Sequence, residues 1–416
     1  MAGAPRKDFN VAVVGGGMCG LAAAYSLARA GVTVDVFEAA ARFEEVGAAV
    51  GLGPNALRAL DGIGLLPAVI ARSDEPEPRM RIFKFVSGKE PHDLVYDYET
   101  CVSNLEQQLG LGIYRPAFLD AVVELLDPSM THFHKRCTGI TPSETGGSII
   151  HFSDGTTHEA DVVIGADGIR SATRNFVIGK DTPLPLVFTN TSAYRGLIPN
   201  EDLVRAGIKT DLSERPVCFV GKGGINIVAF VAEHDKPKGP PVPLPWAVTT
   251  SYDEIKANYA DWGPDASIVL DNLKTPSKWS IHACMPPLKD YVRDRVVLVG
   301  DAAHGMLPHL GAGVGQGFED VFTLTGLLTH PQTNKANLDR VLHQYNTLRP
   351  PRANSVLERS TRAGEAYDGY YPGGLDAFSF EDRVKNQWEW VWDYDVRKEL
   401  GSSVQKLYDE GVFVTM

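Results

Sequence analysis

Two glycine clusters in the 416-residue chain have the spacing of turns that approach phosphate closely. The first, "VVGGGMCG", sets Gly15, Gly17 and Gly20 in a G-x-G-x-x-G pattern, and "VTVDVFE" beyond it ends in Glu38. In that pattern the first glycine permits a tight turn, the second lets backbone approach a pyrophosphate, and the third lets helix and strand pack closely. The helix that follows offers unpaired N–H groups to phosphate. A carboxylate ending the second strand accepts hydrogen bonds from ribose hydroxyls and repels a 2′-phosphate. The second cluster, residues 300–317, reads "GDAAHGMLPHLGAGVGQG", six glycines behind one acid, Asp301. Between the two, "DVVIGADGIRSATR" puts Asp167-Gly168 directly after an apolar run.

Such turns need strands to carry them. "FNVAVV" (Phe9–Val14) is nearly continuous in its apolarity, as a strand buried on both faces should be. "LAAAYSLARAG" then reads as a helix closed by Gly31. The runs before Asp167 and Asp301 have the same buried character, and "RSATR" begins a helix. A carboxylate at the C-terminal edge of a parallel sheet faces the crevice where ligands bind. Two glycine turns of this kind can lie side by side, so one ligand longer than a mononucleotide, held by both, is favoured over two ligands.

The rest of the chain is read more coarsely. Residues 42–60 form a loop entering a helix near Asn55; Arg42 either reaches the ribose or adenine side of the ligand or is a solvated surface arginine. "GIYRPAFLDAVVELL" (Gly112–Leu126) reads as an amphipathic helix with Pro116 in its first turn. "SIIHF" and "DVVIG" flank the turn "SDGTT". Prolines cluster at 236–246, and "VCFV" and "INIVAFVAEHD" look like antiparallel strands of a substrate domain. In "NQWEWVWDYDV", Trp388 and Trp392 stand one helical turn apart, which suits packing a helix down or a subunit contact, so a homodimer is one of two uses for this tail.

Lys plus Arg total 40 against 52 Asp plus Glu, a net charge of −12, which argues against nucleic acid or an anionic membrane as the main partner. The five cysteines are scattered, with no C-x-x-C pair, so neither a metal site nor a disulfide framework is indicated. No apolar signal core precedes the first strand, no run of 18 apolar residues follows, and the C-terminus is not a peroxisomal tripeptide; the expectation is a cytoplasmic protein.

With "GGGMCG", "GADGIRSATR" and "GDAAHGMLPHLGAGVGQGFED" in this order, the chain resembles the single-component FAD-dependent aromatic hydroxylases, and among them the salicylate hydroxylase branch, particularly its fungal members. The resemblance covers nearly all of residues 9–365. It implies an α/β fold: an FAD-binding, Rossmann-like domain of the glutathione-reductase type (1–73, 103–181 and 285–365), interleaved with a mainly antiparallel substrate domain (74–102 and 182–284), then a helical tail (366–416). Carried over residue by residue, it implies that Gly15, Gly17 and Gly20 hold the ADP pyrophosphate and Glu38 the adenosine ribose. Arg115 contacts FAD, Asp167 serves FAD and NAD(P)H, and Asp301 binds the ribitol and pyrophosphate end. Pro308 through Gly313, Gly311 included, line the isoalloxazine, with N–H groups of the next helix facing a reduced, anionic flavin.

On the substrate side, Arg195 in "SAYRGLIP" is implied to supply a cation for a carboxylate, the alternative being an arginine that pairs an acid between domains. His309 either accepts a phenolic proton near neutral pH or is a hydrogen-bonded structural histidine, while His304 fixes the loop around Asp301. Tyr194, Phe219 and Phe230 line the pocket or pack in the core. One departure stands out. Relatives carry a longer hairpin between "CFVGKG" and "INIVAFV", with a histidine and a Tyr/Phe-Pro pair; here only Gly224 separates Gly223 from Ile225.

The implied reaction is hydroxylation of a phenolic acid. NADH or NADPH reduces the flavin, O2 adds to it, and a flavin hydroperoxide delivers an electrophilic oxygen; salicylate would give catechol and CO2. Three alternatives stay open: a hydroxylase of another aromatic in secondary metabolism, an FAD-binding protein with a degenerate pocket, and a dehydrogenase binding only NAD. The motifs do not distinguish NADH from NADPH.

Overall fold

The computed structural model describes residues 6–43, 49–73, 78–98, 109–212, 216–220, 228–370 and 377–414. The central sheet has the spatial order Val292–Arg293, Val296–Leu298, Val162–Gly165, Asn10–Val14, Thr33–Phe37, Thr131–His132. Every neighbouring pair is parallel except the first. Val11–Val13, Val162–Ile164 and Val296–Leu298 are all at most 1% exposed, which is why these segments read as unbroken apolar runs rather than alternating ones. Register places Val14 beside Gly165, and Gly165 beside Leu298. Three strands therefore finish in one row, and the chain leaves all three toward the same edge.

Helices Met18–Arg29, Pro54–Ile63 and Gly313–Thr329 pack on this sheet and on each other. Gly31 and Gly64 end the first two regions in the left-handed conformation that a helix terminus favours. A second, antiparallel sheet has the order Val228–Ala232, Leu186–Leu197, Lys274–Cys284, Ala247–Thr249. Lys84–Ser87 pairs with both Val217–Val220 and Leu94–Asp97. The helix Leu338–Tyr367 runs past both sheets.

Three local expectations change. Leu111–Tyr114 is a strand paired with Ala49–Leu52, and the helix covers only Arg115–Val123, with Pro116 in its first turn as expected. Leu111 and Ile113 are buried while Gly112 and Tyr114 are exposed, a period of two that belongs to a half-buried strand. "SIIHF" pairs across "SDGTT" with Thr157–Ala160, whereas "DVVIG" enters the central sheet because it is buried on both faces. Val217–Val220 runs parallel, not antiparallel, to its partner Lys84–Ser87. The shortened connection around 221–227 and Cys101 lie outside the described residues.

In the tail, Trp388 and Trp392 are buried and stacked at 5.9 Å, with Trp390 turned outward. Trp388 Nε1 donates to the Leu310 carbonyl at 3.1 Å, so the tail fastens onto the second glycine loop. Among the described residues no helix is long and apolar enough to cross a membrane.

A Cβ on Gly20 would sit 2.0 Å from the Gly15 carbonyl oxygen, a backbone atom that cannot swing away. Gly20→Ala is expected to lower the free energy of unfolding by about 1–3 kcal/mol. Gly112→Ala, with nothing within 4 Å of the new methyl, should stay within about 0.5 kcal/mol of wild type. Denaturant midpoints of the two variants, run side by side, check the pair.

Candidate active site

At the shared sheet edge the three turns touch. Gly15 has φ +104°, and a Cβ there would lie 2.4 Å from the Ala166 oxygen and 3.0 Å from the Asp167 Cα. A Cβ on Gly317 would meet Cys19 Sγ at 2.4 Å and the Gly300 Cα at 3.2 Å. The helix after Gly17, the turn before Asp301 and the helix from Gly313 thus meet through bare backbone. Gly17 and Ala312 begin their helices without a side-chain cap, which leaves first-turn N–H groups facing outward for an anion. The two glycine clusters, nearly three hundred residues apart in sequence, meet at one sheet edge.

The acids at this edge differ in what they do. Glu38 accepts from Gly16 N at 2.7 Å and from Ala40 N at 2.8 Å, so it braces the first turn from the end of the neighbouring strand. Asp167 accepts from Ser171 Oγ, Thr173 Oγ1 and the N–H groups of Ala172 and Thr173, all within 3.0 Å. Its carboxylate caps its own helix, Ala172–Ile178, while its backbone abuts Gly15. Asp301 is exposed at the crevice, and its backbone oxygen accepts from Arg174 at 2.7 Å. Buried Arg174 also donates to Ala302 O and Ile169 O, tying the second turn to the third. Arg115 opens the helix Arg115–Val123, and Arg42 is exposed. Gly311 takes φ +60°, which turns the chain between Pro308 and the helix that starts at Gly313.

Behind the third turn lies a buried polar cluster that sequence reasoning missed. Asp320 Oδ2 accepts from Gly300 N at 2.9 Å and lies 2.6 Å from His304 Nε2; its Oδ1 accepts from Arg349 Nε at 2.8 Å. Glu319 takes bonds from Asn55, Gln316, Arg349 and Arg352. Glu319, Asp320, His304 and Arg349 are fully buried. Burial pushes the Asp320 carboxyl up, but His304 and Arg349 outweigh it and hold it below the usual range. Burial likewise works against the Arg349 charge, and Asp320, Glu319 and Glu399 more than restore it. The signal available was "GFEDVF": two adjacent acids in an otherwise uncharged helix must find cations. His304 takes the structural role expected of it.

The substrate-side candidates divide between two faces of the antiparallel sheet. Ala193 lies opposite Phe230 and Arg195 opposite Val228, so Arg195 and Phe230 share a face. The His309 ring contacts Phe230 at 4.8 Å, which joins that face to the second glycine loop. Gly364 makes room for it, since a Cβ there would lie 2.4 Å from the His309 ring. Tyr194 and Phe219 are placed elsewhere. Both are buried with Val217, Ala229, Ile255 and Tyr259 on the opposite face, and Tyr194 donates to Glu254. Alternation along the strand turns Tyr194 away from the face of Arg195, and both Tyr194 and Phe219 pack in this core cluster.

Arg195 lies 5.0 Å from the Trp279 ring centroid, and its Nε is buried without a hydrogen-bond partner. Burial, and then the Arg115 charge, lower its pKa. Burial lowers His309 to about 4, with Asp368 opposing and His234 adding to the effect. At neutral pH the site therefore presents a cation and a neutral imidazole beside an apolar ring.

Comparison with known proteins shows the family of the chain. A family model described as "FAD binding domain" matches residues 8–181 and 245–360. The chain is 36% identical over 426 residues to a salicylate hydroxylase of Pseudomonas putida, covering 97% of this chain and 96% of that protein. It is 31% identical over 430 residues to the 6-methylsalicylate 1-monooxygenase atA of Aspergillus terreus, covering 96% and 92%. A solved salicylate hydroxylase substrate complex matches with a TM-score of 0.83 at 30% identity, over 95% of this chain and 98% of that one. Klebsiella pneumoniae HpxO, complexed with FAD and uric acid, shares the fold at a TM-score of 0.72 and 20% identity, over 95% and 97%.

Arg349→Met would leave buried Asp320 with His304 but without its guanidinium partner, and would take one of the two arginines from Glu319. A loss of about 3–5 kcal/mol is expected, measured as a shift in urea unfolding. The lowered His309 pKa sets a second expectation. Between 6.5, its ordinary value, and about 4, the unfolded chain binds a proton that the folded chain does not, so stability falls as pH drops through that window. His309→Gln should flatten this part of the profile of unfolding midpoint against pH; an unchanged profile would refute the assignment.

Proposed function

The chain belongs to the FAD-binding-domain family as an FAD-dependent aromatic monooxygenase of the salicylate hydroxylase type, and from that premise we propose that it hydroxylates a phenolic acid at the carbon bearing its carboxylate. For salicylate the balance is salicylate, O2, NAD(P)H and two protons giving catechol, CO2, NAD(P)+ and water. The observation that carries this reading is the Arg195–Phe230 face meeting His309 on the second glycine loop, beside three strand ends stripped to backbone.

The residues present fit FAD. Gly15, Gly20 and Gly317 let the turns close on one another with no Cβ between them, and two helices start at the same sheet edge without a side-chain cap. We assign the ADP end to Gly15, Gly17, Gly20, Glu38, Arg42 and Arg115, and the ribitol and ring end to Asp167, Asp301, Pro308, Gly311 and Gly313. When bound, FAD supplies hydride acceptance from NAD(P)H and activation of O2. The chain's own residues do the rest. Arg195 binds the substrate carboxylate through a planar donor fork, which gives its buried Nε a partner. His309, neutral at working pH, accepts a hydrogen bond from the phenol and so raises electron density on the ring. Phe230 and Trp279 keep water from the reacting face.

The test is substrate-stimulated oxidation of NADH or NADPH by the purified holoenzyme, with catechol and peroxide measured together. Salicylate is expected to accelerate oxidation and yield catechol. Bound flavin without stimulation by any of a panel of phenolic acids would leave an FAD-binding protein instead. Arg195→Ala should raise KM for salicylate by about ten-fold or more, the worth of a charged hydrogen bond. The same variant should lose much less with a phenol that has no carboxylate.

A further inference from the structure

The turn that carries His309 can be closed in more than one way by its own residues. Gly311 takes φ +60°, but a glycine populates either sign of φ about equally. The Leu310–Gly311 peptide can therefore point either way unless a group outside the turn decides. Two bonds pin this one plane at both edges. Gly311 N–H donates to the Pro308 carbonyl at 2.9 Å. On the opposite edge of the same peptide, the Leu310 carbonyl accepts from Trp388 Nε1 at 3.1 Å. The preceding peptide is held from the long helix: Leu310 N–H donates to Ser360 Oγ at 3.2 Å, and Ser360 Oγ donates to the Leu307 carbonyl at 2.6 Å. Leu310 and Trp388 are both buried, so a buried carbonyl depends on the indole for its donor.

Trp388 is held firmly enough to act as a brace. Its backbone N–H donates to Tyr98 Oη at 3.2 Å, and Tyr98 donates to Glu389. Its ring lies edge-on to Tyr98 at 4.7 Å and stacks on Trp392 at 5.9 Å. Trp392 fills the space over Gly53, where a Cβ would come within 2.7 Å of the indole, and Arg58 donates to the carbonyls of Trp392 and Tyr394. Gly53 precedes and Arg58 lies on the helix Pro54–Ile63, whose Asn55 bonds Glu319 on the helix Gly313–Thr329. The brace thus stands on the helices that pack behind the glycine turns.

Resting on the assignment of Pro308 through Gly313 to the ring end of FAD, we propose that Trp388 is a positioning residue of the flavin site. By holding the Leu310 carbonyl it sets the direction of the Leu310–Gly311 peptide, and so presents His309 and the first N–H groups of the helix Gly313–Thr329 to the flavin ring. Ala312, the residue after Gly311, opens that helix without a side-chain cap, so its first-turn donors keep their aim only while the turn before them is fixed. Donors at a helix start favour the negative charge that the cofactor gains on reduction. Trp388 acts through the turn, not by contact with the ring, and the tryptophan tail thereby gains a part in the site that packing alone does not require.

The experiment compares full-length holoenzyme of wild type, Trp388→Phe, Ser360→Ala and Trp392→Phe. Backbone hydrogen exchange across residues 307–315 is read by mass spectrometry, and the midpoint potential of bound FAD by spectrophotometric titration. Trp388→Phe keeps an aromatic ring and loses the indole N–H. Exchange in the turn is expected to rise about ten-fold, the worth of one buried hydrogen bond. The potential should fall by the equivalent of about a two- to five-fold weaker hold on the reduced cofactor. Ser360→Ala frees the other end of the turn, should act in the same direction, and carries the test if Trp388→Phe does not fold. Trp392→Phe alters the same aromatic stack but leaves the Leu310 bond in place, and should match wild type in both readings. Unchanged exchange in Trp388→Phe overturns the proposal, and so does an equal effect in Trp392→Phe, since packing then carries it. Faster exchange with an unchanged potential overturns it too, because the turn then does not reach the flavin. Wild-type enzyme in which salicylate stimulates no NADH or NADPH oxidation sinks the hydroxylase reading alone, while exchange and potential still decide the role of Trp388.

Discussion

The site depends on one carboxylate. Asp320 is fully buried, yet it holds the N–H of Gly300 on one oxygen and Arg349 on the other. That bond fixes the backbone at the point where the third strand leaves the sheet, one residue before Asp301. A buried ion pair of this kind adds little net stability over an apolar replacement, because desolvation of both charges offsets their attraction. What it gives is position. Arg349 and Arg352 reach Glu319 as well, and Glu319 takes a bond from Asn55 at the start of another helix. Three helices are thereby registered against one strand end by directional bonds, where apolar packing alone would tolerate sliding.

With the turn fixed, the glycines can act. Cys19, Gly300 and Gly317 are in contact, so the helix after the first turn and the helix after the third approach as closely as backbone allows. Their uncapped ends then lie at the edge of the sheet where Val14, Gly165 and Leu298 form a row. Asp167 shows how this edge economises on acids: its carboxylate serves its own helix, and only its backbone meets Gly15. Arg174 completes the edge by clamping two of the turns through the carbonyls of Ile169, Asp301 and Ala302.

How much of this could be read in advance follows from the range of each constraint. Gly20 was legible because the demand on it is local, set by the Gly15 carbonyl of its own turn, whereas Gly15 also answers to Ala166 on a neighbouring strand end. The buried strands were legible because burial on both faces leaves an unbroken apolar run. Leu111–Tyr114 was not, since four alternating residues ahead of a proline-started helix look like more of that helix until Ala49–Leu52 is seen to pair with them. Asp320 and Arg349 lie 29 residues apart, and only tertiary structure shows that they meet. Tyr194 and Arg195 teach the same lesson at the shortest range. Alternation guarantees that neighbours face opposite ways, but which face meets the ligand is a property of the sheet's docking.

The electrostatics of the finished site follow from burial more than from net charge. The chain carries −12 overall, which by itself would discourage an anionic substrate. Locally the balance reverses, because Arg195 and Arg115 lie close enough for one to depress the other, and Arg195 Nε is buried without an acceptor. A desolvated cation with a like-charged neighbour is unfavourable until an anion arrives, so a carboxylate is bound with more than its own hydrogen bonds in its favour. Beside it, burial holds His309 neutral. Had that ring been charged, a second cation would compete for the carboxylate and could not accept a bond from a phenol. On the proposed reading, the same desolvation prepares Arg195 on the sheet for the acid of the substrate and His309, on the loop that Asp320 helps to place, for its hydroxyl.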